Sequence, residues 1–235
     1  NDTMFFVRTA NPMSVAKPID LSYKPSTKVL KLSGERYKEI HTGQLGEIIQ
    51  SEAGGLIDEF IAYTKQNGER MTICYQDEHL KSIMGMIITL QTIQHIVKQI
   101  DSDLDIEFKV EAYRDDNGNA NKICTNLPSS ELRDDWLTRL TNAWIDDLEY
   151  EQGIEGHLLP IVSLPKRTLT HWRVLSFVCG KKKLSIYPDG GFINEWNIAR
   201  QPNGERFEVS TITHDAKIYL YRNKDIKFDV TIEDC

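Results

Sequence analysis

Apolar residues recur at three- and four-residue spacing in the first half of the chain and in short alternating bursts in the second. Leu45, Ile48, Ile49, Leu56, Ile57, Phe60 and Ile61 lie on either side of Gly54-Gly55, which predicts two short helices or one broken helix over Leu45–Gln66. Arg70–Tyr75 reads as a short strand. Leu80, Ile83, Met84, Ile87, Leu90, Ile93 and Val97 share a face of the longest helix, predicted over Asp77–Ile100. Ile106, Phe108, Val110 and Ala112 alternate with charged neighbours, so Asp105–Tyr113 is a half-exposed strand. The polar run from Arg114 to Asn121 contains Asn117-Gly118 and is a turn. Ser129 or Ser130 caps a helix from Glu131 to Tyr150, whose apolar face carries Leu132, Trp136, Leu140, Trp144, Ile145 and Leu148.

Three strands follow in close succession, over His157–Leu164, His171–Phe177 and Lys183–Tyr187. Their short loops carry Pro165, Lys166, Gly180 and the Lys181–Lys183 run. Phe192–Ile198, Phe207–Ile212, Ala216–Tyr221 and Ile226–Ile232 are further strand-like segments. Residues 1–45 hold Asn11-Pro12, Lys17-Pro18 and Lys24-Pro25 and read as extended sequence that wraps a surface or links to another part. The order is helices, one strand, a tryptophan-bearing helix and then a strand-rich half. That is an α+β pattern rather than a regular β-α alternation. It divides into an N-terminal helical and extended lobe over 1–125, for binding a partner or substrate, and a core over 126–235.

Composition narrows the functions. The 235 residues suffice for one substantial core, with 40% hydrophobic and 27% charged content as in ordinary globular domains. The net charge of −7 excludes the basic footprint of a nucleic-acid binder. Leu80 to Ile100, the most apolar stretch, is interrupted by Lys81, Gln91, Gln94, His95 and Lys98, so it is a helix of a folded core rather than a bilayer span. No secretory signal is read at Asn1-Asp2-Thr3, which is taken as a trimmed start. Cys74, Cys124, Cys179 and Cys235 match no disulfide framework or zinc knuckle, and reduced thiols in a cytosol are the expectation. No metal or cofactor is implied: His79 and His95 are too far apart for an i, i+4 pair, and His41, Asp58 and Glu59 lack metal-like spacing.

The chemistry concentrates between His171 and Asp189. A His-Trp pair opens the second of the three strands and Asp189 follows the third. If those strands pair as a hairpin, His171 and Asp189 leave from ends that lie side by side. An imidazole beside a carboxylate is half of a hydrolytic triad, and a thiol would complete it. Cys74 lies in the strand-like Thr72–Tyr75, where a buried cysteine is common, and Cys179 lies at the far end of the strand that His171 opens, away from His171. His214-Asp215 falls in a turn, and Trp144 and Trp196 read as core aromatics.

The order His171, Asp189, Cys235, with gaps of 18 and 46 residues, resembles the clan of ubiquitin-like-protein peptidases. That clan includes the SUMO proteases, the adenovirus-type protease, bacterial effector deubiquitinases and related effector acetyltransferases. Three further features are similar: a helix opening with Trp136-Leu137, a strand ending near Pro165 ahead of His171-Trp172, and an Asp234-Cys235 pair. The resemblance covers about residues 130 to 235. It implies a cysteine-protease-like α+β fold, a mixed sheet flanked by helices, with Cys235 as attacking thiolate, His171 as base and then acid, and Asp189 as orienter.

It further implies ubiquitin or a ubiquitin-like protein as partner, its extended C-terminal tail lying in a groove beside Trp172, in the chain's own cytosol or a host's. The acetyltransferase relatives use the same three residues to carry an acetyl group from acetyl-CoA. A non-enzymatic interaction module on the same fold is the alternative. Between Lys224 and Asp234 there is no Gln or Asn to hold an oxyanion, and the core over 126–235 is expected to be incomplete beyond Cys235.

Overall fold

The computed structural model describes residues 26–32, 39–41, 43–68, 70–77, 83–100, 104–113, 133–152, 154–159, 162–164, 173–188, 196–198, 217–220 and 226–235. Four helices and eleven strands lie among them. The helices are α1 (Gln44–Glu52), α2 (Leu56–Asn67), α3 (Ile83–Val97) and α4 (Arg133–Gln152). Ahead of α3 come β1 (Ser26–Leu32), β2 (Glu39–His41) and β3 (Arg70–Asp77). Then follow β4 (Asp105–Tyr113), β5 (Gly156–Leu158), β6 (Val162–Leu164), β7 (Val174–Cys179) and β8 (Lys182–Pro188). The last three are β9 (Trp196–Ile198), β10 (Lys217–Leu220) and β11 (Ile226–Asp234).

Eight strands form one mixed sheet in the order β1-β11-β8-β7-β3-β4-β5, with β6 also pairing β4; β2, β10 and β9 form a second, small sheet. Strands β3, β4, β5 and β6 run parallel, and β1, β11, β8, β7 and β3 pair antiparallel in turn. The parallel strands are joined through α3 and α4. Two crossovers stepping in the same direction, each right-handed, put both helices on one face. The layer continues across that face: α4 packs on β5 and α3, α3 on α1, α1 on α2, and α2 on β8 and β11.

This is the mixed α and β fold that the pattern predicts, with two differences of organisation. Strands from both sides of residue 125 share the large sheet and one buried apolar cluster. Inside the α+β order, β3-α3-β4-α4-β5 is a true β-α-β-α-β run. Residues 26–32, read as part of an extended linking segment, are the end strand of the sheet among the described residues.

Local chemistry explains most element boundaries. Gly54 and Gly55 take φ of 64° and 90°, which separates α1 from α2 at the predicted break. Gly180, at φ 54°, turns β7 into β8, and the two strands pair antiparallel as the hairpin expectation requires. The strand predicted over His157–Leu164 is instead two. β5 pairs with Ile106–Phe108 and β6 with Glu111–Tyr113, and Pro160, which has no N–H to give a ladder, lies between them. β3 continues two residues past its predicted end, and α3 starts only at Ile83. The inward alternation of Met71, Ile73 and Tyr75 runs on through Asp77.

The seam between α1 and α3 is close. A Cβ at Gly46 would lie 2.6 Å from the Cβ of His95, so only glycine fits there. Next to it the His95 ring meets Gln50 Oε1 at 2.6 Å and Gln99 Nε2 at 3.2 Å. Burial lowers the His95 pKa from its ordinary 6.5, with Glu47 acting in the opposite direction. The unfolded chain therefore binds this proton more readily than the folded one, and stability falls as pH drops through 6.5 towards the lowered folded value. Urea midpoints measured on either side of 6.5 are expected to show that drop, and His95→Gln is expected to flatten it.

Candidate functional site

The carboxyl ends of parallel strands are where open α/β sheets hold ligands. Here that edge collects the ends of β3, β4 and β8 and the starts of β7 and β11. Gln76 pairs with Val174, Asp77 with Ala112 and Phe228 with Pro188. At its centre Asp77 is fully buried. Its Oδ2 accepts a hydrogen bond from the Tyr75 hydroxyl at 2.9 Å, and its Oδ1 accepts one from Arg173 Nε at 3.2 Å. The Tyr75 phenol is pushed well above its ordinary pKa by burial, and further by the Asp77 charge, so it stays protonated and donates. A carboxylate held by two donors, Tyr75 of β3 and the Arg173 cation just ahead of β7, is a built feature of this edge.

His171, Trp172 and Asp189 lie outside the described residues, but Arg173 and Pro188, close to them in the chain, are described. The β7–β8 register, with Leu175 opposite Ile186, brings Arg173 and Pro188 to the same edge. Cys235 is at the other edge. It follows Asp234, which pairs with Lys182, and its backbone N–H donates to Lys181 O at 2.8 Å beside the Gly180 turn. From Lys182 to Pro188 the strand spans about 20 Å at about 3.3 Å per residue.

β11 runs antiparallel to β8, so the chain passes the Arg173–Pro188 edge before it reaches Cys235 at the opposite one.

The other described thiols are poorly suited to attack. Cys74, on the polar face of β3 opposite Ser176, has its pKa raised to about 11, mainly by burial and then by Glu111. Cys179 is raised by burial, with the Thr64 hydroxyl opposing. Both stay protonated at neutral pH, and a thiol is a weak nucleophile until ionised. Cys124 lies outside the described residues.

The sheet face away from the helices is polar. Arg70 pairs with Glu107 and Asp105, Lys109 with Glu111, and Lys183 with Glu233, while Gln76 Nε2 donates to Glu111 at 3.0 Å. Among the described residues no group of three or more His, Cys, Asp or Glu side chains could hold a metal ion, and no helix is long and apolar enough to cross a membrane. The outer edge of the sheet is β1, which pairs among the described residues with β11 only. Residues 26–29 are exposed, and Val29 shows 62% of its surface.

Sequence reasoning missed Tyr75, Asp77 and Arg173. A signal was present: Asp77 is the fourth inward position of an alternating strand, and a carboxylate there requires a cation partner. No protein-family model matches this chain, and no curated protein matches its sequence.

Proposed function

We propose that this chain is a protein-interaction module that accepts an extended segment of a partner as an added strand along β1. By the sequence resemblance, that segment is the C-terminal tail of ubiquitin or a relative, met in a cytosol of the chain's own cell or of a host. The observation that carries the reading is the position of β1 at the end of the sheet, with residues 26–29 exposed and Val29 standing out from it. The end strand of a sheet can present N–H and C=O groups to an added strand, and exposed side chains on it add selectivity. The distance of Cys235 from the Arg173–Pro188 edge supports the non-enzymatic alternative over thiol peptidase or acetyltransferase chemistry through that residue.

A second reading keeps hydrolysis at the opposite part of the sheet. Arg173 and Pro188 lie at one edge, so the chain enters and leaves the His171–Asp189 region from adjacent strands.

One experiment separates the two. Ubiquitin and SUMO carrying a C-terminal vinyl electrophile are incubated with the protein, and unmodified ubiquitin and SUMO are titrated in parallel by amide NMR. Reversible binding, with shifts along Ser26–Leu32 and no covalent adduct, is the expected result. Val29→Asp, which removes an exposed apolar contact worth about 1.5 kcal/mol, is expected to weaken that binding about tenfold with an unchanged melting temperature. Covalent labelling that is lost in His171→Ala would overturn the module reading in favour of hydrolysis. Absence of any shift in β1 would overturn the proposed surface.

A further inference from the structure

We propose that Lys28 takes the free carboxylate at the end of the added strand, so that β1 selects a chain terminus over an internal extended segment. The proposal rests on the reading of β1 as the docking edge and names what that edge recognises. Lys28 and Val29 are neighbours on β1 and point to opposite faces of the sheet. Lys28 lies opposite Val230, a buried residue of the helix-covered face, and Val29 lies opposite Asp229 on the polar face. Both Lys28 and Val29 are exposed.

The Lys28 side chain runs along the corner between β1 and the α1–α2 connection. Its Cδ and Nζ lie 3.8 Å and 4.0 Å from where a Cβ of Gly54 would stand. The carboxylates that open α2 are already engaged, since Asp58 accepts from Gln50 and Glu59 from Lys182. Among the described residues no ion pair reaches Lys28, whereas Lys109, Lys182 and Lys183 each hold a carboxylate. The end strand therefore carries a cation in want of a counter-charge beside an exposed apolar residue.

An added strand sets one residue opposite each residue of β1, with Cβ atoms about 5 Å apart. A tail running antiparallel to β1, with its last residue opposite Lys28, pairs its penultimate residue with Val29 and continues along residues 30–32. A parallel tail ending at the same place would lie against residues 26–28 only. The antiparallel course covers more of the strand, brings the terminal carboxylate to the ammonium and sets the penultimate side chain on Val29. Charge-assisted hydrogen bonds are the strong ones. An internal segment in the same register brings a neutral peptide group there and leaves Lys28 uncompensated.

The test uses the full chain and a synthetic peptide of the ubiquitin C-terminal tail, made once as the free acid and once as the carboxamide. A third peptide is a carboxamide with glutamate as its last residue. Binding is followed by fluorescence anisotropy and amide NMR at low ionic strength. The free acid is expected to bind about fivefold more tightly than the carboxamide, and the difference to shrink as salt is added. Lys28→Gln is expected to bind both alike, at the wild-type affinity for the carboxamide, whereas a loss of packing would weaken both. A nitroxide on the first residue of the peptide should broaden the amide of Leu32 more than that of Ser26.

Equal affinity of the wild-type chain for acid and carboxamide would overturn the inference and leave the docking edge standing. So would a preference for the acid that survives in Lys28→Gln, or a glutamate peptide that binds as tightly as the acid, since a side-chain carboxylate would then suffice. Stronger broadening at Ser26 would overturn the antiparallel course. Failure of every peptide to move the β1 amides would instead overturn the docking reading itself, and the inference with it.

Discussion

Replacing Asp77 with alanine is expected to cost about 3–5 kcal/mol, the range for removing one partner of a buried ion pair. Two donors lose an acceptor by that change. The Tyr75 hydroxyl loses its 2.9 Å acceptor inside the core, and Arg173 loses its 3.2 Å contact with only part of its side chain open to water. The uncompensated arginine rather than the lost attraction dominates the cost, because pairing two buried charges itself roughly offsets their desolvation. The double variant Asp77→Ala with Arg173→Met is therefore expected to be more stable than Asp77→Ala alone. Urea unfolding of the four proteins of this cycle measures it. If the arginine substitution restores nothing, the pair is not the source of the loss.

What the sequence made legible follows from how local each cause is. The break at Gly54-Gly55 rests on glycine at positive φ, and the hairpin on Gly180, so both could be read in place. The alternation in Asp105–Tyr113 and the apolar stripe of Leu140, Trp144, Ile145 and Leu148 are periodicities of single elements, and these side chains are buried as expected where they are described. Asp77 was hidden by a local rule, since an aspartate before an apolar helical run reads as a helix start. Its true partner is 96 residues away. Gly46 likewise looks like a propensity cost within a helix, and only the approach of His95 from α3 explains it.

The candidate site mixes local and long-range causes. His171 and Asp189 were read from the β7–β8 hairpin, a short-range pairing that the structure contains. Cys235 was placed by spacing alone. Spacing carries no register, and the antiparallel pairing of β11 with β8 sends the cysteine to the opposite edge. A one-dimensional order of three residues was thus compatible with two arrangements about 20 Å apart, and only long-range strand pairing distinguishes them.

The second large effect is expected at Phe177. Phe108, Ile73, Phe177, Leu184 and Ile232 are cross-strand neighbours in one row on the helix-covered face, and each is essentially without solvent exposure. Phe177 is the middle of that row and meets Phe60 of α2 with ring centroids 6.1 Å apart and planes inclined by 56°. Strands on both sides and a helix above hold the site open, so the cavity left by Phe177→Ala cannot collapse. A loss of about 3–5 kcal/mol is expected, a large part of the stability of an ordinary domain. Val178, the next residue, points to the polar face and is half-buried. Val178→Ala is expected to cost less than about 1 kcal/mol, because little surface leaves water there and the face can relax. Urea midpoints with unchanged slopes measure both. Equal losses at 177 and 178 would mean that both faces of the sheet are packed alike, which contradicts a core built on the helical side alone.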